Sequence, residues 1–224
     1  MRIPDGAFAL LLISIAHSFF SQASASDQTT WRLDNLESIG DLPVTLEGDP
    51  KLIDTPHGKA IEFDGQDDAV FIETHPLSGM DTFTVEIIFN PYSGGGAEQR
   101  FFHMQEEGSA SRVMFETRLP EKNRWFLDTF IKSGENNSVL YAQDHLHETD
   151  QWRHAAIVYD GETMSHYVDG SLELSAPLAY APQQDGRTSI GVRINKVDWF
   201  KGAVRTIRFS TRPLPPGEFL SNND

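Results

Sequence analysis

The acidic loop Asp64-Gly65-Gln66-Asp67-Asp68 holds the clearest set of residues with ligand chemistry. Calcium takes about six to eight oxygen ligands, and carboxylates together with loop carbonyls supply them. We therefore expect Asp64, Asp67 and Asp68 to hold a structural calcium ion. The competing interpretation is an ordinary Asp-Gly turn whose acids are solvated.

Hydrolysis of a glycosidic bond would need two carboxylates that face each other across the scissile bond. Glu62 and Asp64 would share a face if this segment were a strand, because alternate strand residues point the same way. The alternation stops at Gly65, and no third acid continues it. The segment is therefore more simply interpreted as a turn than as the site of a retaining glycosidase.

Aromatic rings are the usual platforms for sugars, because sugar C–H faces stack on them while nearby polar groups fix the orientation. Trp125 and Trp199 are the best candidates, and Arg193 and Asn195 stand close to Trp199 in sequence. These four residues form the predicted ligand-binding set. The competing interpretation places both tryptophans in the core.

Histidine could serve as a general base or a metal ligand, but either role needs a converging carboxylate or a further ligand. His145 and His147 lie in an acidic stretch typical of a solvated surface, and His154 follows Trp152 and Arg153 in a predicted strand. No complete catalytic set emerges. The sequence leaves enzymatic activity open, leans against it, and predicts no catalytic residue.

The elements that would position these residues are short strands. In the clearest one, Thr82 to Phe89, alternate apolar residues share one face, and Ile88 interrupts the polar face. At least ten such segments are separated by turn signals such as Asp160-Gly161 and Asp169-Gly170. No stretch has a sustained helical period with caps at both ends. The pattern predicts an all-β fold, a two-sheet antiparallel jelly-roll sandwich.

The pattern of the N-terminal segment predicts that the protein is exported. An apolar run from Ala7 to Phe20 follows Arg2 and ends at Ala23-Ser24-Ala25, a pattern that signal peptidase accepts. The run is shorter than the roughly 20 apolar residues that a membrane span requires. We expect a signal peptide, residues 1–25, and a single mature domain, residues 26–224. The mature protein is then secreted, extracellular or periplasmic, with no membrane association after cleavage.

Net charge and cysteine content limit the classes of partner and of metal site that the chain can have. The formal net charge is −15 and the chain has no cysteine. Such a surface repels nucleic acid, so no nucleic-acid partner is expected. Without cysteine the fold can hold no disulfide and no thiolate metal site.

Several segments in order resemble the laminin-G-like jelly-roll domain of the concanavalin A-like lectin/glucanase superfamily. The resemblance lies in Gly58–Gly65 with Asp68–Val70, in Phe83–Phe89, in Trp152–Gly161 continuing to Gly170, and in Ser189–Gly191 with Phe200–Val204 leading to Phe219. It implies the jelly-roll fold, in which one structural calcium near such an acidic loop is common. Members commonly carry an acid where this chain has Arg205, so the role of that acid does not carry over.

Polysaccharide lyases on jelly-roll folds use an arginine, a histidine or glutamine, and a tyrosine on one concave sheet. This chain has residues of these types at strand-like positions, namely Arg112, Arg118, His103, Gln105 and Tyr141. Their spacing does not match alginate lyase signatures, and the net charge opposes acidic polymers. A polysaccharide-cleaving enzyme, lyase or glycoside hydrolase, remains the leading enzymatic alternative.

We therefore expect a secreted binding module whose partner is a glycan or an extracellular protein. The sequence identifies neither the ligand nor the oligomeric state. If Trp125, Arg118 and His103 gathered on one exposed concave face, the lectin or enzyme hypothesis would gain support.

Overall fold

The computed structural model describes residues 27–223, and the expected signal peptide lies outside these residues. The described part contains eighteen strands and one short 3-10 turn. In chain order they are β1 (Gln28–Arg32), β2 (Ser38–Ile39), β3 (Leu42–Pro43), β4 (Thr45–Glu47), β5 (Lys51–Thr55), β6 (Gly58–Asp64), β7 (Ala69–Ile72), β8 (Phe83–Pro91), β9 (Glu98–Glu106), β10 (Arg112–Glu121), β11 (Arg124–Ser133), β12 (Asn136–Tyr141), β13 (His147–Glu148), β14 (Arg153–Tyr159), β15 (Thr163–Val168), β16 (Ser171–Pro177), β17 (Gly186–Ile190), β18 (Lys201–Ser210) and the turn Pro216–Glu218.

Sixteen of the described strands form two antiparallel sheets, as expected for a jelly roll, and β2 and β3 form a separate two-stranded hairpin. Sheet I has the order β16-β15-β14-β8-β18-β6-β5, and β1 also pairs with β18. Sheet II has the order β12-β11-β10-β9-β17-β7-β4, and β13 also pairs with β11. Many neighbours in each sheet are far apart in sequence, so the fold depends on long-range pairing. The predicted all-β two-sheet sandwich is confirmed.

Aromatic side chains join the two sheets in the core. The Phe89 ring of sheet I stacks on Phe101 of sheet II, with ring centroids 4.2 Å apart. Trp125 of sheet II meets the same Phe89 ring edge-on at 5.3 Å. Large rings bury much apolar area, and offset or edge contacts suit their charge distribution. Both sheets therefore share one core.

The central strand of sheet I is buried on both faces. Phe83, Val85, Ile87 and Phe89 point into the core, as their alternation predicts. On the other face Thr84 and Glu86 are also buried, because the C-terminal tail (residues 213–223) crosses them. Thr84 accepts a hydrogen bond from the Leu214 N–H at 2.9 Å. The tail converts an outward face into a second, smaller buried layer.

Two tight hairpins connect β14, β15 and β16, as the Asp-Gly pairs predict. At the second turn Asp169 and Gly170 have φ of 48° and 76°. Two consecutive positive φ values match the twist of the adjoining strands in a two-residue turn. Gly191 follows the last residue of β17 and has φ of 89°. A Cβ at Gly191 would collide with the Phe63 ring.

Sheet II presents an outer face whose side chains stand in register across the strands. On β10, Val113 and Phe115 join the core, so the alternate residues point outward. Pairing with β9, β11, β12 and β17 then forms successive cross-strand rows. From one end they are Arg187-Gln105-Arg112-Lys132-Asn137, then Ser189-His103-Met114-Phe130-Val139, then Arg100-Glu116-Asp128-Tyr141, then Glu98-Arg118-Phe126.

Candidate functional site

A cleft of about 850 Å³ opens beside the acidic loop, at the edge where β6 and β18 meet. Its lining combines both charges with one tyrosine: Gly48, Asp49, Lys51, Glu62, Phe63, Asp64, Gln66, Asp67, Asp68, Tyr92 and Lys201. The loop itself follows β6, and a second loop between β4 and β5 forms the opposite wall. The structure thus places the predicted metal residues at the mouth of a cavity.

Asp68 holds the two walls of this cleft together. One carboxylate oxygen accepts the Asp49 N–H at 2.7 Å, and the other accepts the Asp64 N–H at 3.0 Å. Asp64 in turn accepts the Gln66 N–H at 2.7 Å, which closes the local turn. Short polar side chains commonly bond backbone two residues ahead in this way. Two of the three acids therefore shape the loop whether or not a cation is bound.

The three acids could also hold a metal ion. Ligand oxygens of Asp64, Asp67 and Asp68 lie within 4.8 Å of one another. The Asp67 carboxylate is exposed and has no hydrogen-bond partner among the described residues. Carboxylate oxygens are the ligands that hard cations prefer. The donor set fits such a cation, although Lys201 lines the same cleft and weakens the negative potential.

Arg205 does not contribute to this cleft. Its side chain is buried beneath the C-terminal tail, where Nη2 donates to the Asn222 carbonyl at 2.6 Å. The guanidinium carbon also lies 5.2 Å from the centre of the Trp152 ring. A cation thus occupies the position where the resemblance would have placed an acidic ligand.

Glu62 and Asp64 face the same cleft, as their spacing predicts, but each is engaged. Tyr92 donates its hydroxyl hydrogen to Glu62 Oε1 at 3.0 Å. Burial, assisted by the neighbouring Glu62, raises the pKa of Tyr92 well above its ordinary value. Asp64 is occupied by the turn that it closes. Both carboxylates therefore serve as structural hydrogen-bond partners, and they do not flank a space for a glycosidic bond.

Trp125 cannot be a sugar platform. Its ring is 0% exposed, and it points into the core rather than to the outer face of sheet II. The indole N–H donates to the Glu148 carbonyl at 3.2 Å. Trp125 occupies an inward position of β11, in the same alternation as the core residues Leu127 and Ile131. The expectation of an exposed Trp125 is therefore wrong.

The other predicted ligand residues lie in the loop over residues 191–199. Trp199 and Arg193 are half-buried, and Asn195 is exposed. Lys196 and Asp198 in the same loop both have φ of 60°, a conformation that non-glycine residues seldom adopt. Such backbone strain often accompanies binding loops. The loop contacts β9, where the Ile194 N–H donates to His103 Nδ1 at 3.0 Å.

Sequence reasoning missed a charged cluster on the outer face of sheet II. Glu116 and Asp128 are buried there between two arginines. Arg118 contacts Asp128 at 2.7 Å and Glu116 at 3.1 Å, and Arg100 contacts Glu116 at 3.0 Å. Burial, with a contribution from the charge of Asp128, raises the pKa of Glu116 to about 7. Only the register of β10 against β11 brings these acids together, so no sequence spacing signals them.

Beside this cluster lies the most accessible apolar part of the same face. Tyr141 is 47% exposed and Val139 is 51% exposed. The Tyr141 ring is held edge-on by Phe126 at 4.7 Å, and the Arg118 guanidinium lies 5.7 Å from its centre. The ring is thus fixed in position while one part of it remains open. Arg118 and His103 do share this face, as the lectin and enzyme hypotheses require, but Trp125 does not.

Three other histidines have structural partners. His154 Nε2 lies 3.1 Å from the buried Glu86, and His147 Nε2 lies 2.6 Å from Glu173. His166 Nδ1 pairs with the Thr129 hydroxyl at 2.9 Å. Among residues 27–223 no group of three or more metal-ligating side chains includes a histidine.

Similar solved structures share the fold at low sequence identity. Domain 4 of AbnA, a GH43 extracellular arabinanase from Geobacillus stearothermophilus solved with arabinotriose, matches with a TM-score of 0.64 at 17% identity, over 84% of this chain and 94% of that one. The binding domain of botulinum neurotoxin DC in complex with rat synaptotagmin II matches with a TM-score of 0.62 at 11% identity, over 88% of this chain and 50% of that one. Botulinum neurotoxin type C, whose cell entry depends on two ganglioside molecules, matches with a TM-score of 0.60 at 11% identity, over 85% and 49%.

These sequence identities support a common fold and no more.

Within residues 27–223, no helix has the length and apolar character that crossing a membrane requires. No curated protein sequence matches the chain significantly. A family model, Laminin_G_3, described as the concanavalin A-like lectin/glucanases superfamily, matches residues 64–218, which is more than half of the chain. The chain belongs to this family of the concanavalin A-like superfamily.

Proposed function

We propose that the chain is a secreted glycan-binding module that binds its ligand on the outer face of sheet II. The observation that carries the proposal is the open, positionally fixed Tyr141 ring beside a row of charged side chains. Two proteins of similar fold add support, because one was solved with arabinotriose and the cell entry of the other depends on two ganglioside molecules. Residues 1–25 would direct export.

The geometry around Tyr141 suits a sugar. A pyranose or furanose ring would stack on the open side of Tyr141 while Arg118 and its exposed partner Glu98 bond the hydroxyl groups. Phe126 holds the platform ring edge-on at 4.7 Å, so little side-chain entropy would be lost on binding. Val139 extends the apolar surface by one row. The outer face thus combines stacking with fixed polar groups.

We also propose that the acidic loop binds calcium as a structural ion. Asp67, which has no partner among the described residues, would join Asp64 and Asp68 in supplying oxygens. A bound cation would lock the loops on both sides of the cleft. Calcium should therefore raise the melting temperature of the protein, and Asp67→Asn should remove that rise. An unchanged melting temperature at millimolar calcium would contradict the proposal.

A glycan array with protein expressed from the full sequence, with and without calcium, tests the binding function. Tyr141→Ala should abolish binding to any glycan that scores. Leu172→Ala is the matched control, because Leu172 is 55% exposed but lies on β16 of sheet I. Silence across neutral and acidic glycans, with binding to an extracellular protein instead, would overturn the glycan assignment.

Polysaccharide cleavage is the second candidate, and one observation favours it. Glu116 and Asp128 both contact the Nη2 atom of Arg118, so they are close together, and burial brings the pKa of Glu116 to about 7. A carboxyl group that is protonated near neutral pH suits a general acid. New reducing ends or unsaturated sugars released from a polysaccharide panel, and lost in Glu116→Gln, would establish this activity. Absence of product would leave binding as the function.

A further inference from the structure

We propose that the arginines around His103 form an anion site that takes the carboxylate or sulfate group of an acidic saccharide. The proposal rests on the proposed function and specifies its ligand class. The site lies on the outer face of sheet II, one to two rows from Tyr141. Its members are Arg112, Arg193, Lys132 and His103, with Arg187 at its rim.

The first observation is a cationic row that the sheet register creates. Arg187 pairs with Gln105, Gln105 with Arg112, and Arg112 with Lys132. Arg112 and Lys132 are thus directly opposite each other on neighbouring strands. Like charges in that relation destabilise a sheet. An anion bound between them would remove this repulsion.

The second observation is that these cations have no carboxylate partner in the described part of the chain. Arg112 donates from Nη1 to the Ala110 carbonyl and lies 4.5 Å from the centre of the Phe130 ring, yet its buried Nε has no partner. Within residues 27–223 no ion pair involves Arg112, Arg187, Arg193 or Lys132. By contrast, carboxylates pair with six other arginines, namely Arg100, Arg118, Arg124, Arg153, Arg208 and Arg212.

The third observation is a buried donor without a partner. His103 is 1% exposed, and its Nδ1 accepts the Ile194 N–H, so the neutral ring carries its hydrogen on Nε2. Nε2 has no hydrogen-bond partner. Burial and the charges of Arg193, Arg112, Arg100 and Arg187 lower the pKa of His103 to about 3. A neutral N–H donor surrounded by guanidinium groups suits an oxyanion.

The positive region is local. The whole chain carries a formal net charge of −15. Glu73, Glu106 and Glu107 border a cavity of about 350 Å³ that also contacts Arg187, Gln105 and Ile194. These acids would repel a second negative charge beyond Arg187. The site therefore favours a saccharide with one well-placed acidic group over a densely charged polymer.

The experiment compares paired ligands that differ only in charge. Galacturonate oligosaccharides and their methyl esters, and a sulfated oligosaccharide with its desulfated form, are titrated against the full-length protein. We expect the acidic form to bind about tenfold or more tightly than its neutral partner, and the preference to fall with added salt. The pairs also distinguish a carboxylate ligand from a sulfate ligand.

The variant Arg112→Gln/Arg193→Gln should abolish the preference for the acidic form. Removing a cation opposite Lys132 relieves repulsion, so the melting temperature of this variant should be unchanged or higher, which a merely structural role would not produce. Arg212→Gln, at an exposed arginine paired with Glu218, is the matched control. Equal binding of acidic and neutral forms by the unmodified protein, with glycan binding otherwise intact, overturns the anion site alone.

Inorganic sulfate separates this proposal from the glycan function. Sulfate should raise the melting temperature of the unmodified protein above that of an ionic-strength-matched chloride control, and the double variant should lose the difference. This result would support the anion site even if no glycan bound. An identical sulfate response in the double variant would overturn it.

Discussion

Glu116 and Asp128 lie directly opposite each other on β10 and β11, and their carboxylates contact the same Nη2 atom of Arg118, at 3.1 and 2.7 Å. Arg100 contacts Glu116 from the other side. Two acids are thus buried together on a sheet face, where the guanidinium groups of Arg118 and Arg100 compensate their charges.

Arg118→Met should destabilise the protein by about 3–5 kcal/mol at pH 7.5, because it leaves a pair of buried carboxylates without their shared cation. Urea unfolding followed by circular dichroism measures the change. Arg124→Met is the matched control, since Arg124 lies 4.0 Å from an exposed carboxylate and contributes little. Equal stability of the two variants would show that the cluster does not stabilise the fold.

Glu116 should make the protein less stable as the pH rises. Its pKa is raised to about 7 in the folded chain from an ordinary 4.5, so the folded state binds more protons than the unfolded state between these values. The free energy of unfolding of the unmodified protein, measured relative to that of Glu116→Gln, should therefore fall by roughly 1–3 kcal/mol from pH 4.5 to pH 7. Above pH 7 the difference between the two proteins should stay constant. A constant difference between the two proteins across this range would contradict the raised pKa.

Asp68→Ala should destabilise the protein more than Asp67→Ala does, although the two residues are adjacent. Asp68 accepts two backbone N–H groups from separate loops, so its loss should cost about 1.5–3 kcal/mol without any cation present. Asp67 is exposed and should change stability by less than about 0.5 kcal/mol in the presence of a chelator. Thermal unfolding in EDTA measures both. A larger loss for Asp67 would mean that the loop is held differently.

Arg208→Met should destabilise the protein by about 3–5 kcal/mol, because Glu86 is completely buried and Arg208 is its cationic partner at 2.6 Å. The Leu220 N–H also donates to Glu86, so the C-terminal tail should loosen in the variant. Hydrogen exchange of residues 213–223 would report that loosening. Arg212→Met is the control for the free energy of unfolding. Arg212 is an exposed arginine just before the tail, and its solvent-exposed ion pairs with Asp27 and Glu218 should contribute little.

Strand positions could be predicted well from sequence because alternation and turn residues are local signals. The strand predicted from Thr82 to Phe89 corresponds to β8 (Phe83–Pro91), and the Asp-Gly turns connect β14, β15 and β16 as expected. The short strands β2, β3 and β13 have only two residues each, too few for a period to be recognised. The acidic loop was found because Asp64, Asp67 and Asp68 lie within five positions of the sequence.

The sites on sheet II could not be predicted in this way. Trp125 was predicted as a ligand-binding residue because the polar Asn123 and Arg124 precede it, yet its position in the alternation of β11 directs it into the core. Glu116 and Asp128 are twelve positions apart and meet only through strand pairing. Likewise Arg112 and Arg193 come together because a loop folds over β9.

By itself the sequence determined the β-strands, their tight turns, the two-sheet class and the local acidic loop, since each depends on residues within a few positions of one another. Tertiary structure decided which face each strand shows to solvent, which charges become neighbours, and how deeply they are buried. The physical reason is that register and sheet order are set by packing of the whole core. A side chain's partners across strands, and hence its charge state, follow from that packing and not from its neighbours along the chain.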